Sequence, residues 1–265
     1  MSLASDLFNL YEKYFWGSYV DTRAKDYFII NSRWILLVTI ASHLLLVTII
    51  APKLVRNRKP RDLRPLMIVF NGLSFGAYGT GVAVIGYAFN YTIESWQCQI
   101  ASRNMFKEEV FLRIGYALFV LRLFEMITPL IMIARHKPSQ KPILHALYNA
   151  LYLLLIYHGL NRYSREVIYM YPFADAFKIA LRSAYYSLRS PGPCFGQFKV
   201  FRTSVLGTAF GLSIYSIIHA ASIIGRNCEG PKALQFGFMT LSIGEAIFYF
   251  NRIMSKSQAK KLAAE

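Results

Sequence analysis

Seven apolar stretches, separated by short polar and basic segments, dominate the pattern of hydrophobic and polar positions along the chain. Each stretch is about 20 residues long, which is the length that an α-helix needs to cross the hydrocarbon core of a bilayer. The pattern predicts an all-α, polytopic membrane protein with seven transmembrane helices, because helices satisfy their own backbone hydrogen bonds in lipid. The predicted spans are residues 34–51, 66–89, 110–133, 143–160, 167–188, 203–224 and 233–254.

The segments outside the spans complete a three-part organisation. Residues 1–33 mix acidic and aromatic residues, which predicts an amphipathic segment at the membrane interface. Residues 34–254 form the seven-helix transmembrane domain, and residues 255–265 form a basic C-terminal tail. Hydrophobic residues make up 55% of the chain and charged residues 17%, which argues against a water-soluble two-domain enzyme.

The charged residues divide unequally between the two membrane sides. Segments after the odd-numbered spans carry 16 basic residues against two acidic ones, whereas the opposite side carries 11 basic and nine acidic residues. The positive-inside rule therefore places the C-terminus in the cytosol or the mitochondrial matrix, and the N-terminus on the other side. Because the charge lies in short loops at one membrane face, no nucleic-acid partner is expected.

The most basic loop follows the first span, and it favours contact with anionic phospholipids such as cardiolipin. A bound phospholipid is therefore expected, whereas no cofactor is. No metal site is expected either, because the histidines and cysteines are not clustered at ligand spacing. The predicted headgroup ligands are Lys53, Arg56, Arg58, Lys59, Arg61, Arg64, Arg135 and Lys137.

Six charged residues lie inside predicted spans and away from their ends, where a charge marks either a functional site or an internal ion pair. Arg122 and Glu125 are three residues apart on the third span and could neutralise one another. The glutamate of the seventh span needs a cationic partner, and either basic residue of the fifth span could provide it. The other four residues are Asp175, Lys178, Arg182 and Glu245.

Two of the three cysteines fall on the less basic side of the membrane. Cys98 lies between the second and third spans and Cys228 between the sixth and seventh, whereas Cys194 lies on the opposite side. Two cysteines in an oxidising compartment could form a disulfide. Placement alone leaves that bond open.

A series of short motifs runs through the chain in a fixed order. They are residues 19–23 (Tyr-Val-Asp-Thr-Arg), the proline-bounded basic loop 52–60, 69–71 (Val-Phe-Asn), 96–99 (Trp-Gln-Cys-Gln), 122–125 (Arg-Leu-Phe-Glu) and 185–186 (Tyr-Tyr). In this order the chain resembles the ELO family of very-long-chain fatty acid elongases, which condense an acyl-CoA with malonyl-CoA. The resemblance implies an elongase-like fold, a cytosolic C-terminus and a luminal disulfide between Cys98 and Cys228.

The histidine box of that family is incomplete here. The resemblance implies a His-x-x-His-His motif on the fourth span, but the corresponding residues are His145, Tyr148 and Asn149. Condensation needs a base or nucleophile that works near neutral pH, which an imidazole provides and a phenol or an amide does not. Because the three side chains share one helix face, we expect them to form a hydrogen-bonding seam.

Other family motifs are altered as well. A Lys-x-x-Glu-x-x-Asp pattern on the third span survives as Arg122 and Glu125, but Thr128 replaces its aspartate. The further histidine that the resemblance implies on the fifth span is Ile179. Two glutamines of the sixth span would fall near Val205 and Thr208.

The sequence therefore predicts a catalytically inactive, elongase-like protein that serves as a structural, lipid-binding accessory subunit of a larger membrane complex. A mitochondrial respiratory or ATP synthase assembly is one such complex, with other membrane subunits as partners. Two alternatives stay open: a divergent elongase that uses His145 and Glu125, and a non-catalytic regulator that binds acyl-CoA or lipid. The mitochondrial inner membrane is slightly preferred to the endoplasmic reticulum, to which the family resemblance points.

Overall fold

Seven helices account for the fold. The computed structural model describes residues 23–24, 27–59, 62–88, 96, 105–135, 142–162, 170–189, 198–226 and 232–262, whose regular secondary structure is entirely helical. The helices are α1 (Arg33–Val55), α2 (Arg64–Ala88), α3 (Met105–Glu125, continued as Ile127–Ala134), α4 (Pro142–Arg162), α5 (Met170–Arg189), α6 (Phe198–Gly225) and α7 (Lys232–Leu262). Each predicted span coincides with one helix, so the all-α, multi-pass membrane architecture is confirmed. Helix α7 continues beyond its apolar stretch into the predicted tail.

Six of the helices form a closed ring. Going around it, α2 contacts α5, α5 contacts α6, α6 contacts α7, α7 contacts α4, α4 contacts α3, and α3 returns to α2. Helix α1 lies outside the ring against α3 and α4. Large apolar side chains such as Val69 and Leu73 are exposed on the outer surface, as expected for a surface that faces lipid.

Helix α5 differs from the other six. The described residues contain six helices that are long and apolar enough to cross a membrane, and α5 is not among them. Its buried face carries Asp175 and Lys178. Charged side chains in a transmembrane segment almost always face the bundle interior, so α5 relies on the other ring helices to bury its charges.

Two prolines coincide with the irregular turns of α1 and α3. Proline lacks the N–H that would continue the helix, and its ring clashes with the carbonyl four residues earlier. In α1, the wider π-helical turn Leu46–Ile50 immediately precedes the segment that contains Pro52. In α3, a break at Met126 precedes Pro129, which leaves the Glu125 carbonyl without its usual helical donor.

Close packing inside the ring can be tested at two glycines. A Cβ added at Gly115 would lie 2.6 Å from Cδ2 of the buried Leu160, whereas one at Gly76 would meet nothing within 4 Å. We expect Gly115→Ala to destabilise the protein by about 1–3 kcal/mol through overpacking. Gly76→Ala should be neutral or stabilise by up to about 1 kcal/mol through helix propensity. Unfolding in mixed detergent micelles measures both, and equal stability of the two variants would contradict this packing.

Candidate functional site in the polar interior of the ring

Three ion pairs join α5 to its neighbours inside the ring. Five of the six side chains are at most 11% exposed, and the sixth, Arg182, is 28% exposed. Each pair contains one cation and one anion, so the six charges cancel. The pairs are Arg122 with Asp175, Arg182 with Glu125 (Nη2 to Oε2, 3.0 Å), and Lys178 with Glu245.

This pairing differs from the expectation that Arg122 and Glu125 neutralise one another within α3. Both side chains instead reach α5, whose row of charges lies beside them in the same order. Both pairs can form because α3 and α5 run in the same direction through the bundle, so that successive residues of one helix lie beside successive residues of the other. The sequence allowed either Lys178 or Arg182 as the cationic partner of Glu245, and the structure pairs it with Lys178.

Arg122 is the centre of the interior and is 1% exposed. Its Nη2 donates to Asp175, and its Nη1 donates to Oδ1 of Asn149 at 2.9 Å. The guanidinium carbon lies 4.4 Å from the ring centroid of Tyr152 and 5.3 Å from that of Tyr148, within cation–π range. The hydroxyl of Tyr148 also lies 3.2 Å from Oδ1 of Asp175, so two histidine-box positions hold this ion pair.

Asn149 has a second role that depends on the break in α3. Its Nδ2 donates to the Glu125 carbonyl oxygen at 3.3 Å, the oxygen that Pro129 cannot satisfy. An amide supplies an acceptor and a donor side by side, which suits the simultaneous contact with Arg122 and this carbonyl. The residue at the last position of the histidine box therefore joins α4 to the last turn of α3 before the break.

His145 is not held in the same way. It is half-buried, and its ring contacts that of Phe248 edge-on at a centroid distance of 6.5 Å. In the part of the chain that the structure describes, His145 has no hydrogen-bond partner that would fix its tautomer or orientation. A general base normally has such a partner, which sets the tautomer and orientation of its ring.

The remaining motif positions have separate environments. Thr128 donates a hydrogen bond to Glu125 Oε2 at 3.2 Å, so the position of the missing aspartate still contacts the glutamate. Ile179 is buried in an apolar cluster between α2, α3 and α5. Val205 is buried, but Thr208 is exposed, so the structure does not bring both positions into the interior.

Sequence reasoning missed several interior contacts. Ser213 of α6 donates to Glu245 Oε2 at 3.3 Å, which links a further helix to the third ion pair. Nearer the other end of the ring, the Tyr171 hydroxyl donates to Gln235 Oε1 at 2.6 Å and lies 3.5 Å from Nδ1 of His219. Unlike buried charges, neutral polar residues give no strong sequence signal for a partner.

A narrow gap borders the Arg122 ion pair. Tyr78 and Arg122 are among the residues that line it, and neither the Tyr78 hydroxyl nor Arg122 Nε has a hydrogen-bond partner in the described structure. The gap is too narrow for a water molecule, and the adjoining apolar gap beside Gly115 and Phe238 has room for about one. No group of three or more His, Cys, Asp or Glu side chains that could hold a metal occurs among the residues described.

The two predicted disulfide cysteines lie outside the described residues, but residues near them are in contact. Arg226 Nη2 donates to the Trp96 carbonyl at 2.9 Å, and Trp96 Nε1 donates to the Tyr215 hydroxyl at 2.6 Å. Cys98 and Cys228 each follow one of these contacting residues by two positions in sequence. This proximity is compatible with the disulfide, which stays a prediction.

Non-reducing electrophoresis tests the disulfide prediction. We expect the purified wild type to migrate faster without reductant, because a cross-link between residues 98 and 228 compacts the denatured chain. Cys98→Ser and Cys228→Ser should each abolish the difference, whereas Cys194→Ser should leave it unchanged. A mobility difference that survives either of the first two substitutions would contradict this pairing.

Five of the predicted headgroup ligands are exposed near the ends of α1 and α2, and Arg135 is half-buried at the end of α3. Arg61 and Lys137 lie outside the described residues. The five exposed residues are Lys53, Arg56, Arg58, Lys59 and Arg64.

Comparison with known proteins shows to which family the chain belongs. The family profile described as the GNS1/SUR4 family, ELO, matches residues 28–261. The chain belongs to the ELO family. Similar ELO proteins are named very long chain fatty acid elongases: one from Aedes aegypti is 23% identical over 229 residues, covering 83% of this chain. That match spans 62% of the Aedes protein, less than two thirds of its length.

Two further relatives carry similar names. Very long chain fatty acid elongase 4 of Homo sapiens is 22% identical over 256 residues, covering 91% of this chain and 77% of the human protein. Very long chain fatty acid elongase F of Drosophila simulans is 21% identical over 262 residues, covering 89% and 94%. The chain is thus a divergent ELO-family membrane protein.

Proposed function

We propose that this ELO-family protein does not condense acyl-CoA and instead serves as a structural, lipid-binding accessory subunit of a larger membrane complex. The proposal rests on the contacts that the residues at the histidine-box positions make. Tyr148 and Asn149 hold the Arg122 ion pair through hydrogen bonds, and His145 has no orienting partner among the residues described.

The charge balance of the interior supports the same proposal. Glu125, the remaining carboxylate of the altered motif, accepts hydrogen bonds from both Arg182 and Thr128. A carboxylate held by a guanidinium is a poor base, because protonation would break a charge-assisted hydrogen bond. No cofactor is required by this proposal, and a bound phospholipid and neighbouring membrane subunits are its expected partners. We place the complex preferentially in the mitochondrial inner membrane, with the endoplasmic reticulum as the alternative.

A condensing enzyme is the second candidate, and the comparisons favour it. The relatives are named very long chain fatty acid elongases, and one imidazole, His145, persists at the start of the altered histidine box. In that case the protein would join the acyl group of an acyl-CoA to malonyl-CoA with release of CO2 and free CoA, and His145 and Glu125 would be its reactive groups.

Purification of the native protein in mild detergent separates the two candidates. The structural proposal predicts a large complex in which the same membrane subunits co-migrate with this chain at fixed, near-stoichiometric ratios. Mass spectrometry of the complex would also identify its membrane of origin. A chain that migrates alone, or with the reductases and dehydratase of fatty acid elongation, would contradict the structural proposal.

A further inference from the structure

The ends of α1, α2 and α3 meet at one end of the bundle. The last turn of α1, Ala51–Val55, packs against the second part of α3, Ile127–Ala134. The Arg135 guanidinium, just past the end of α3, contacts the Met67 sulfur near the start of α2. Arg135 therefore lies where three helices converge, on the side that the positive-inside rule assigns to the cytosol or matrix.

Arg135 differs from the interior cations. Arg122, Lys178 and Arg182 each have a carboxylate partner, whereas Arg135 has none in the described part of the chain. The Met67 thioether is only a weak acceptor for a guanidinium that carries five N–H donors. A half-buried guanidinium without an anion has unused capacity for two parallel hydrogen bonds to a phosphate or carboxylate.

The surroundings of Arg135 are basic and also apolar. Lys53 belongs to the α1 turn that packs on α3, and the only acidic side chain described beside these helix ends, Asp62, lies 3.5 Å from the Arg64 guanidinium. Leu54 and Leu66 are 60% and 49% exposed at the same helix ends. A cationic site bordered by exposed leucines suits a ligand that has both a phosphate and a hydrocarbon chain.

We infer that Arg135, with Lys53 from the α1 turn that packs on α3, binds the phosphodiester of an anionic phospholipid, whose acyl chain covers Leu54 and Leu66. This inference deepens the lipid-binding part of the proposed function and rests on that part alone. Arg135 would donate to two phosphate oxygens, and Lys53 would add a point charge at the end of α1. The remaining basic residues of the loop would contribute to the surface potential without binding one particular headgroup.

Thermal unfolding of the full-length protein in a neutral detergent tests the inference. We expect added cardiolipin or phosphatidylglycerol to raise the melting temperature, and phosphatidylcholine to have a much smaller effect. Arg135→Gln should remove about half or more of the anionic-lipid shift, because bidentate contact is lost. Arg113→Gln is the matched control, since Arg113 is an exposed arginine near the opposite end that pairs with Glu109 at 2.5 Å; it should retain the full shift.

Three outcomes would overturn the inference. They are an equal lipid shift in wild type and Arg135→Gln, an equal loss in Arg113→Gln, and a full shift with inorganic phosphate alone, which would assign the site to a free anion. If Arg135→Gln does not fold, Arg135→Lys replaces it, with native mass spectrometry counting the lipids retained on the folded protein. Fewer retained anionic lipids than in wild type support the inference, and an unchanged number contradicts it. The assay contains no acyl-CoA and no partner subunit, so its failure is distinguishable from failure of the proposed function.

Discussion

Arg122→Met is expected to destabilise the protein by about 3–5 kcal/mol, because it leaves the Asp175 carboxylate buried in the ring without its cation. The hydrogen bond to Asn149 would be lost as well, and with it part of the connection between α3 and α4. Methionine has a similar length and an apolar side chain, so the variant tests the charge more than the volume. The measurement is the free energy of unfolding in mixed detergent micelles.

The matched variants make the origin of this loss testable. Arg122→Met combined with Asp175→Leu removes both charges, and its stability should recover to within about 1–2 kcal/mol of wild type, because a buried ion pair stabilises little compared with apolar residues. Arg113→Met breaks an exposed pair and should cost about 1 kcal/mol or less. A double variant no more stable than Arg122→Met alone would show that the loss does not come from the uncompensated carboxylate.

Glu245→Leu is expected to prevent stable insertion of α5. The substitution leaves Lys178 inside the ring without a carboxylate, and a lysine at the centre of a transmembrane helix costs about 2.5–3.5 kcal/mol. Because α5 is not apolar enough to qualify as a span by itself, it has little hydrophobic energy to offset this cost. In sealed vesicles, a membrane-impermeant maleimide should label the Cys194 peptide of wild type only from the side of the C-terminus.

In Glu245→Leu, a fraction of the Cys194 label should appear from the opposite side. Lys178→Leu combined with Glu245→Leu removes both charges and should restore one-sided labelling. Glu109→Leu, which breaks the exposed pair with Arg113, serves as the control and should label as wild type does. One-sided labelling in Glu245→Leu would contradict a dependence of α5 on its α7 partner.

Much of the fold could be predicted from the order of apolar stretches. A helix in lipid must satisfy its own backbone, so length and hydropathy alone located the spans. The fifth span was the least apolar, and its predicted limits still overlapped α5 because Asp175, Lys178 and Arg182 fall on one helical face. The order of helices around the ring could not be predicted, because an apolar helix surface can pack against any of several other helices.

The candidate site could be predicted only as a set of charged residues, without their pairing. The spacing of Arg122 and Glu125 suggested a contact within α3, but side chains of that length also reach an adjacent helix, and the position of α5 decides between the two. The contact of Asn149 with the Glu125 carbonyl required a break in α3 and a neighbouring amide at the same depth. Sequence shows Pro129 and Asn149, but it does not show that they lie next to one another.

The measurement that tests the central claim most directly is malonyl-CoA-dependent CO2 release by the purified full-length protein in lipid vesicles. It should be made with saturated and unsaturated acyl-CoAs of long and very long chain, beside an active ELO-family elongase purified in the same way. We predict no release above the protein-free background with any acyl-CoA, because two of the three histidine-box positions, Tyr148 and Asn149, hold the Arg122 ion pair. Release of CO2 that His145→Ala abolishes in a correctly folded variant would contradict the account and establish a condensing enzyme.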